Sequence, residues 1–179
     1  MQTWNSAGVS NPFSSLSIPP RVFERLHHEY DFTLDVAGEK NAHRAPTYFS
    51  QVEDGRVCQW RTGELGTAWC CPHFGSPAEW LGKAMYETRF GGFCNRAVLL
   101  FPATLADGWL TEAMTMAEIH LFDGPLQPAD DDLATRSGGT ALIVVERTPY
   151  FRGVTCLRSA RTGRVVFDFD LEAGYPDDE

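Results

Sequence analysis

Within five residues, Cys70-Cys71-Pro72-His73-Phe74 brings together two thiols, an imidazole and an aromatic ring. Three chemistries use such groups. A thiol beside an imidazole can be activated as a nucleophile, thiols and imidazoles bind metal, and an aromatic ring can stack on an exposed base. The metal option lacks support, because no paired C-x-x-C or H-x-x-x-H accompanies the segment. On a strand, Cys70 and Cys71 would also face opposite ways and not converge on one ion. Five cysteines, with no secretory leader visible in MQTWNSAGVSNPF, lead to an expectation of reduced thiols in a cytoplasmic protein. A second candidate is Asp35, a carboxylate within the short apolar run Phe32–Ala37.

These residues need elements to hold them. Pro19-Pro20 can open a helix, since proline is tolerated in a first turn. Val22, Phe23 and Leu26 then mark one apolar face through about Tyr30. Residues 32–37 read as a buried strand, 38–60 as irregular, and 67–71 as a second strand stopped by Pro72. A helix is expected from Pro77 to about Phe90. Ala97–Phe101 and Thr140–Val145 are uninterrupted apolar runs, the pattern of central strands. Between them lie a helix near 108–116, a strand at 118–122 and a long acidic loop. Residues 150–171 read as a hairpin, followed by an acidic tail. Strands alternating with helices imply an α/β sandwich with a mostly parallel sheet, whose ligands sit at the carboxyl ends of the strands. Both Asp35 and Cys71-Pro72-His73 fall at such ends.

Composition narrows the function classes. A chain of 179 residues and 43% apolar content suits one domain without disulfide staples. No apolar stretch is long enough for a membrane span. The formal net charge of −9 is the reverse of what a nonspecific nucleic-acid binder carries. Two acidic clusters, one containing Asp130, Asp131 and Asp132 and one at the C-terminus, account for much of it.

Taken in order, further segments add up to a family. Ser17-Ile18-Pro19-Pro20-Arg21-Val22-Phe23 is similar to the Y-T-P-P-x-x-F opening of phage-type (Dam-like) DNA adenine-N6 methyltransferases. Phe32-Thr33-Leu34-Asp35-Val36-Ala37 resembles their F-x-L-D-V-A-A, and Asn41, Ala42, Ala45, Pro46, Tyr48 and Phe49 fit E-N-A-x-x-P-x-Y-F. Glu53-Asp54-Gly55 with Trp60 fits D-D-G-L…W. Trp69 to Phe74 falls where the family has W-x-N-P-P-Y, followed by Trp80, Lys83 and Ala84 for W-x-x-K-A. Leu99-Leu100-Phe101-Pro102-Ala103 resembles L-L-x-P-A.

The resemblance implies a Rossmann-like methyltransferase-type α/β domain over 17–149, preceded by a loop at 1–16 and extended by the hairpin and tail of 150–179. It also implies S-adenosylmethionine as cofactor, with Pro19, Pro20, Asp35, Val36, Ala37, Glu53 and Asp54 around it. Cys71, Pro72, His73 and Phe74 would then be the catalytic segment, and DNA presenting a flipped base the partner.

That segment departs from the family. Cys71 stands for the Asn, His73 for the second Pro and Phe74 for the Tyr. Phe74 retains a stacking surface, but a protonated thiol is a weak hydrogen-bond acceptor. Losing one preorganised polar contact costs on the order of 10²–10³ in rate. The family's basic R-G-R segment is here Asp123-Gly124-Pro125, which removes phosphate contacts. Three functions follow: a nucleic-acid methyltransferase with an altered pocket, an enzyme built on Cys71, or an inactive descendant. The last would bind a host protein, in an anti-defence role or as a DNA mimic, through Asp130, Asp131 and Asp132.

Overall fold

The computed structural model of the chain describes residues 18–61, 63, 66–73, 76–103, 108–124, 126, 139–148 and 153–169. Helix α1 (Pro20–Tyr30) leads into β1 (Phe32–Asp35), a two-residue β2 (Thr47–Tyr48) and β3 (Thr67–Cys70). Then come α2 (Pro77–Met85), a π-helical turn (Tyr86–Phe90), β4 (Arg96–Pro102), α3 (Trp109–Met116) and β5 (Glu118–Phe122). Strands β6 (Thr140–Glu146), β7 (Gly153–Arg158) and β8 (Val165–Asp168) complete the order.

All eight strands form one sheet, ordered β2-β1-β3-β4-β6-β5-β7-β8. Pairings β1–β2, β1–β3, β3–β4 and β5–β7 are parallel, and β4–β6, β5–β6 and β7–β8 antiparallel. Only β6 and β8 therefore run against the other six. The sheet is mixed but mostly parallel, as the alternation of apolar runs with helical segments implies. Strands β7 and β8 do pair antiparallel, and they extend this sheet beyond β5.

Two apolar layers hold the sandwich. On one face α1 packs Val22, Phe23, Leu26 and Tyr30 onto Phe32, Trp69, Val98 and Leu142. On the other, α2 and α3 bury Trp80, Leu81, Ala84, Trp109, Leu110 and Ala113 against Leu34, Ala68, Leu99 and Ile143. Fully burying one such side chain contributes about 1.5–3 kcal/mol, so neither helical layer is dispensable. Cys70 joins the second layer and Cys71 the first, the opposition that strand alternation demands.

Local chemistry explains the element ends. α2 starts with Pro77 after a capping box, in which Ser76 Oγ accepts from the Glu79 N–H and Glu79 accepts from the Ser76 N–H. The expected single helix to Phe90 stops being α-helical at Met85. There Glu87, fully buried, accepts from the Trp60 N–H and pairs with Lys83 at 2.5 Å, and the chain widens into a π turn closed by the Gly91 N–H on the Tyr86 carbonyl. Strand β1 likewise ends at Asp35, two residues before its apolar run does, because the Asp35 side chain turns the backbone.

Candidate functional site at the carboxyl edge

Asp35 has no exposed surface. Its Oδ1 accepts from the Ala37 N–H at 3.2 Å and its Oδ2 from the Arg44 N–H at 2.9 Å. These bonds fold residues 36–44 into a loop over the end of β1. Burial raises the Asp35 carboxyl to about 6, against the pull of the two backbone donors and of nearby His43 and Arg44. Gly38 sits inside that loop, and a Cβ there would meet Tyr48 Cβ at 3.0 Å, His43 Cβ at 3.1 Å and Asp35 Cγ at 3.2 Å. His43 stacks on Tyr48 with centroids 4.2 Å apart.

The neighbouring β3 end meets this loop. The Val36 N–H donates to the Trp69 carbonyl at 2.9 Å, continuing the ladder one residue past β1. His73 Nδ1 lies 3.4 Å from Glu39 Oε1, with both side chains partly exposed. Sequence position thus brings Asp35, Val36 and Ala37 beside Cys71, Pro72 and His73. Phe74, like Asp130, Asp131 and Asp132, lies outside the described residues.

Cys71 is buried among α1-facing residues, including Trp69, Val22 and Phe23. Burial pushes its thiol well above its ordinary value, and Asp35 adds to the shift while Arg44 opposes it. A neutral thiol is a poor nucleophile, so the placement argues against an enzyme built on a Cys71 thiolate. Among the described residues no group of three or more His, Cys, Asp or Glu is arranged to hold a metal ion.

The remaining sequence-picked residues flank the same edge. The Pro19 carbonyl accepts from the Val22 and Phe23 N–H groups and starts α1. Glu53 accepts from the Ser50 N–H and hydroxyl at 2.9 and 3.0 Å. Asp54, at φ 55, chelates the Arg56 guanidinium, and Arg56 also pairs with Glu79 at 3.0 Å. Gly55 is pressed onto the loop below, since a Cβ there would stand 2.0 Å from the Val36 carbonyl oxygen. Trp60 fastens the segment from inside by donating to the Gly55 carbonyl at 2.6 Å.

Sequence reasoning passed over Glu39, His43 and Arg44. The spacing Asp35, Glu39, His43 and Arg44 gives no periodic signal, because a loop closed by backbone donors brings them together.

No helix among the described residues is long and apolar enough to cross a membrane. The sequence model of a family described as DNA N-6-adenine-methyltransferase (Dam) matches residues 14–155. No curated protein and no solved structure gives a significant match.

Proposed function

We propose that this chain, which belongs to the DNA N-6-adenine-methyltransferase (Dam) family, binds S-adenosylmethionine where the β1 and β3 loops meet and methylates an amine of an extruded DNA base. The observation that carries this reading is the junction itself. Two adjacent parallel strands end side by side, tied by the Val36–Trp69 bond and the His73–Glu39 contact, at the edge where α/β sheets hold ligands.

The residues there suit the cofactor's chemistry. Glu39 and Glu53 offer partly or fully exposed carboxylates to an ammonium or to ribose hydroxyls, and Pro19, Tyr48 and Phe49 offer apolar surface. When bound, the cofactor supplies an electrophilic methyl group on a sulfonium. Asp35 acts one layer beneath, holding the backbone of Ala37 and Arg44 so that the loop keeps its shape. In a neutral His73 whose Nδ1–H points toward Glu39, the other ring nitrogen is an acceptor. His73 is therefore the side chain that can receive an N–H of the target amine in place of the missing Asn. The Rossmann-like character of the sheet is part of the same proposal, supported by its parallel β2-β1-β3-β4 half.

The buried thiol of Cys71 favours a second reading, a descendant that binds cofactor but turns over slowly or not at all. Methyl transfer from labelled S-adenosylmethionine to duplex DNA, with the product base identified by mass spectrometry, separates the two. Transfer that falls at least ~10²-fold in His73→Ala supports His73 as acceptor. No transfer by the wild-type chain, with transfer gained in Cys71→Asn, identifies the slow descendant.

A further inference from the structure

The 159–164 turn lies entirely beyond the family match, which ends at residue 155. It follows β7 at the same sheet edge as Asp35 and His73, and it is firmly held. The Gly163 N–H donates to the Ser159 carbonyl and the Ser159 N–H to the Arg164 carbonyl, both at 2.8 Å. Asp123, at the end of β5, accepts from the Ala160 N–H at 2.7 Å. From below, Arg158 donates to the Gly163 carbonyl at 2.9 Å while its guanidinium clasps Glu29 of α1. Gly163, at φ 72, rests on α1 so closely that a Cβ would meet the Val22 carbonyl oxygen at 3.2 Å and Arg25 Cβ at 3.4 Å.

This docking rests the turn that carries exposed Arg161 and Arg164 on α1 at exposed Arg25, with exposed Arg21 one helical turn earlier, directly after Pro20. Among the described residues no carboxylate pairs with any of these four guanidinium groups, whereas Arg56, Arg96 and Arg158 each hold one. Glu24 shares the helix face and Asp123 holds the turn, while Glu29 is paired with Arg158, leaving four positive charges against two negative. In a chain of net charge −9, such a patch runs against the overall composition.

We propose that Arg21, Arg25, Arg161 and Arg164 form a docking surface for the phosphate backbone of duplex DNA. The inference deepens the function proposed above and rests on it. Guanidinium forks match phosphate oxygens and need no base contact. The patch starts at the residue after Pro20 and ends on a carboxyl-edge loop, so a duplex lying along it passes the β1–β3 junction. Asp123 stands where the family has a basic segment. It gives up a phosphate contact and holds the turn that carries two arginines instead.

The test measures binding of a fluorescent duplex of about 20 base pairs across a salt series, by anisotropy, for wild type and Arg161→Gln/Arg164→Gln. S-adenosylhomocysteine titration and thermal melting of both proteins run alongside. The double variant is expected to bind duplex about 10-fold more weakly at ~0.1 M salt. Its slope of log affinity against log salt should shrink by about 1–2, because each lost phosphate contact removes ~0.9. Cofactor-product affinity and melting should not change. Arg161→Lys/Arg164→Lys should recover most of the binding, and Arg25→Gln alone should lose part of it, which separates charge from folding. Wild-type affinity and slope in the Gln variant would overturn the inference, as would absence of duplex binding by the wild type at ~50 mM salt. Patch-dependent duplex binding by a chain that ignores S-adenosylhomocysteine would instead uphold the patch and overturn the cofactor reading.

Discussion

Two buried polar regions of the molecule are built on opposite principles. At the β1–β3 junction, Asp35 is satisfied by two backbone N–H groups, and its carboxyl is raised to about 6. Where β7 crosses α1, Arg158, 1% exposed, is surrounded by side chains. It donates through Nε to His120 Nδ1 at 2.7 Å and pairs with Glu29, while Glu118 holds His120 at 2.6 Å and accepts from Thr155 at 2.9 Å. Burial pulls Glu29 upward, but hydrogen bonds and charge from Arg158 bring it below its ordinary range. The first region leaves a carboxyl able to take up a proton near neutrality, and the second fixes its charges. A loop proposed to receive a ligand is of the first kind, and a clamp joining β7 to α1 is of the second.

The contrast breaks most visibly at the clamp. Arg158→Met leaves Glu29, His120 and the Gly163 carbonyl without their shared donor. Removing one partner of such a network costs about 3–5 kcal/mol, a melting temperature lower by roughly 10 °C for a domain of this size. Circular-dichroism melting reads it, and an unchanged midpoint would mean that the clamp contributes little.

A smaller effect is expected at the junction. In Gly55→Ala the new Cβ would stand 2.0 Å from the Val36 carbonyl oxygen, so the 50–56 segment must lift from the loop. Overpacking of this kind costs about 1–3 kcal/mol. Here it should weaken S-adenosylhomocysteine binding more than it lowers the melting temperature, whereas Arg158→Met should do the reverse.

The smallest effect is in the pH profile. Because the Asp35 carboxyl is raised on folding from 3.8 to about 6, the native state binds more proton between those values. Its contribution to stability is complete below about pH 4 and is lost as pH rises through about 6. Glu29, lowered on folding, acts with the opposite sign, its contribution fading as pH falls below its ordinary range. Asp35→Asn, which keeps one acceptor, should change stability little near pH 5 but flatten the decline between pH 4 and 6. Urea unfolding across that range checks this, and a wild-type slope in the variant would contradict the assignment.

What the sequence made legible follows from how local each feature is. Strands β4 and β6 read directly from unbroken apolar runs, and α1 from its prolines and the spacing of Val22, Phe23 and Leu26. The positions of Asp35 and His73 at strand ends also came from local pattern. The early end of β1 did not, because Val36 and Ala37 are apolar and only the Asp35 carboxylate turns them out of the strand. The π turn was hidden because it depends on Glu87 finding Trp60, a partner 27 positions away. A lone arginine in a hairpin looks solvated, yet Arg158 is buried by Glu29, 129 positions distant. The arginine patch stayed hidden for the same reason, since the 159–164 turn meets α1 at Arg25 only after that clamp closes.

The proposed function requires the β1–β3 junction to hold the methyl-donor cofactor. Calorimetric titration of the purified chain with S-adenosylhomocysteine tests it most directly. Binding near the micromolar range, weakened at least ~10-fold in Gly55→Ala while Arg161→Gln/Arg164→Gln binds as wild type, is the predicted result. No heat of binding from a chain that melts cooperatively would contradict it.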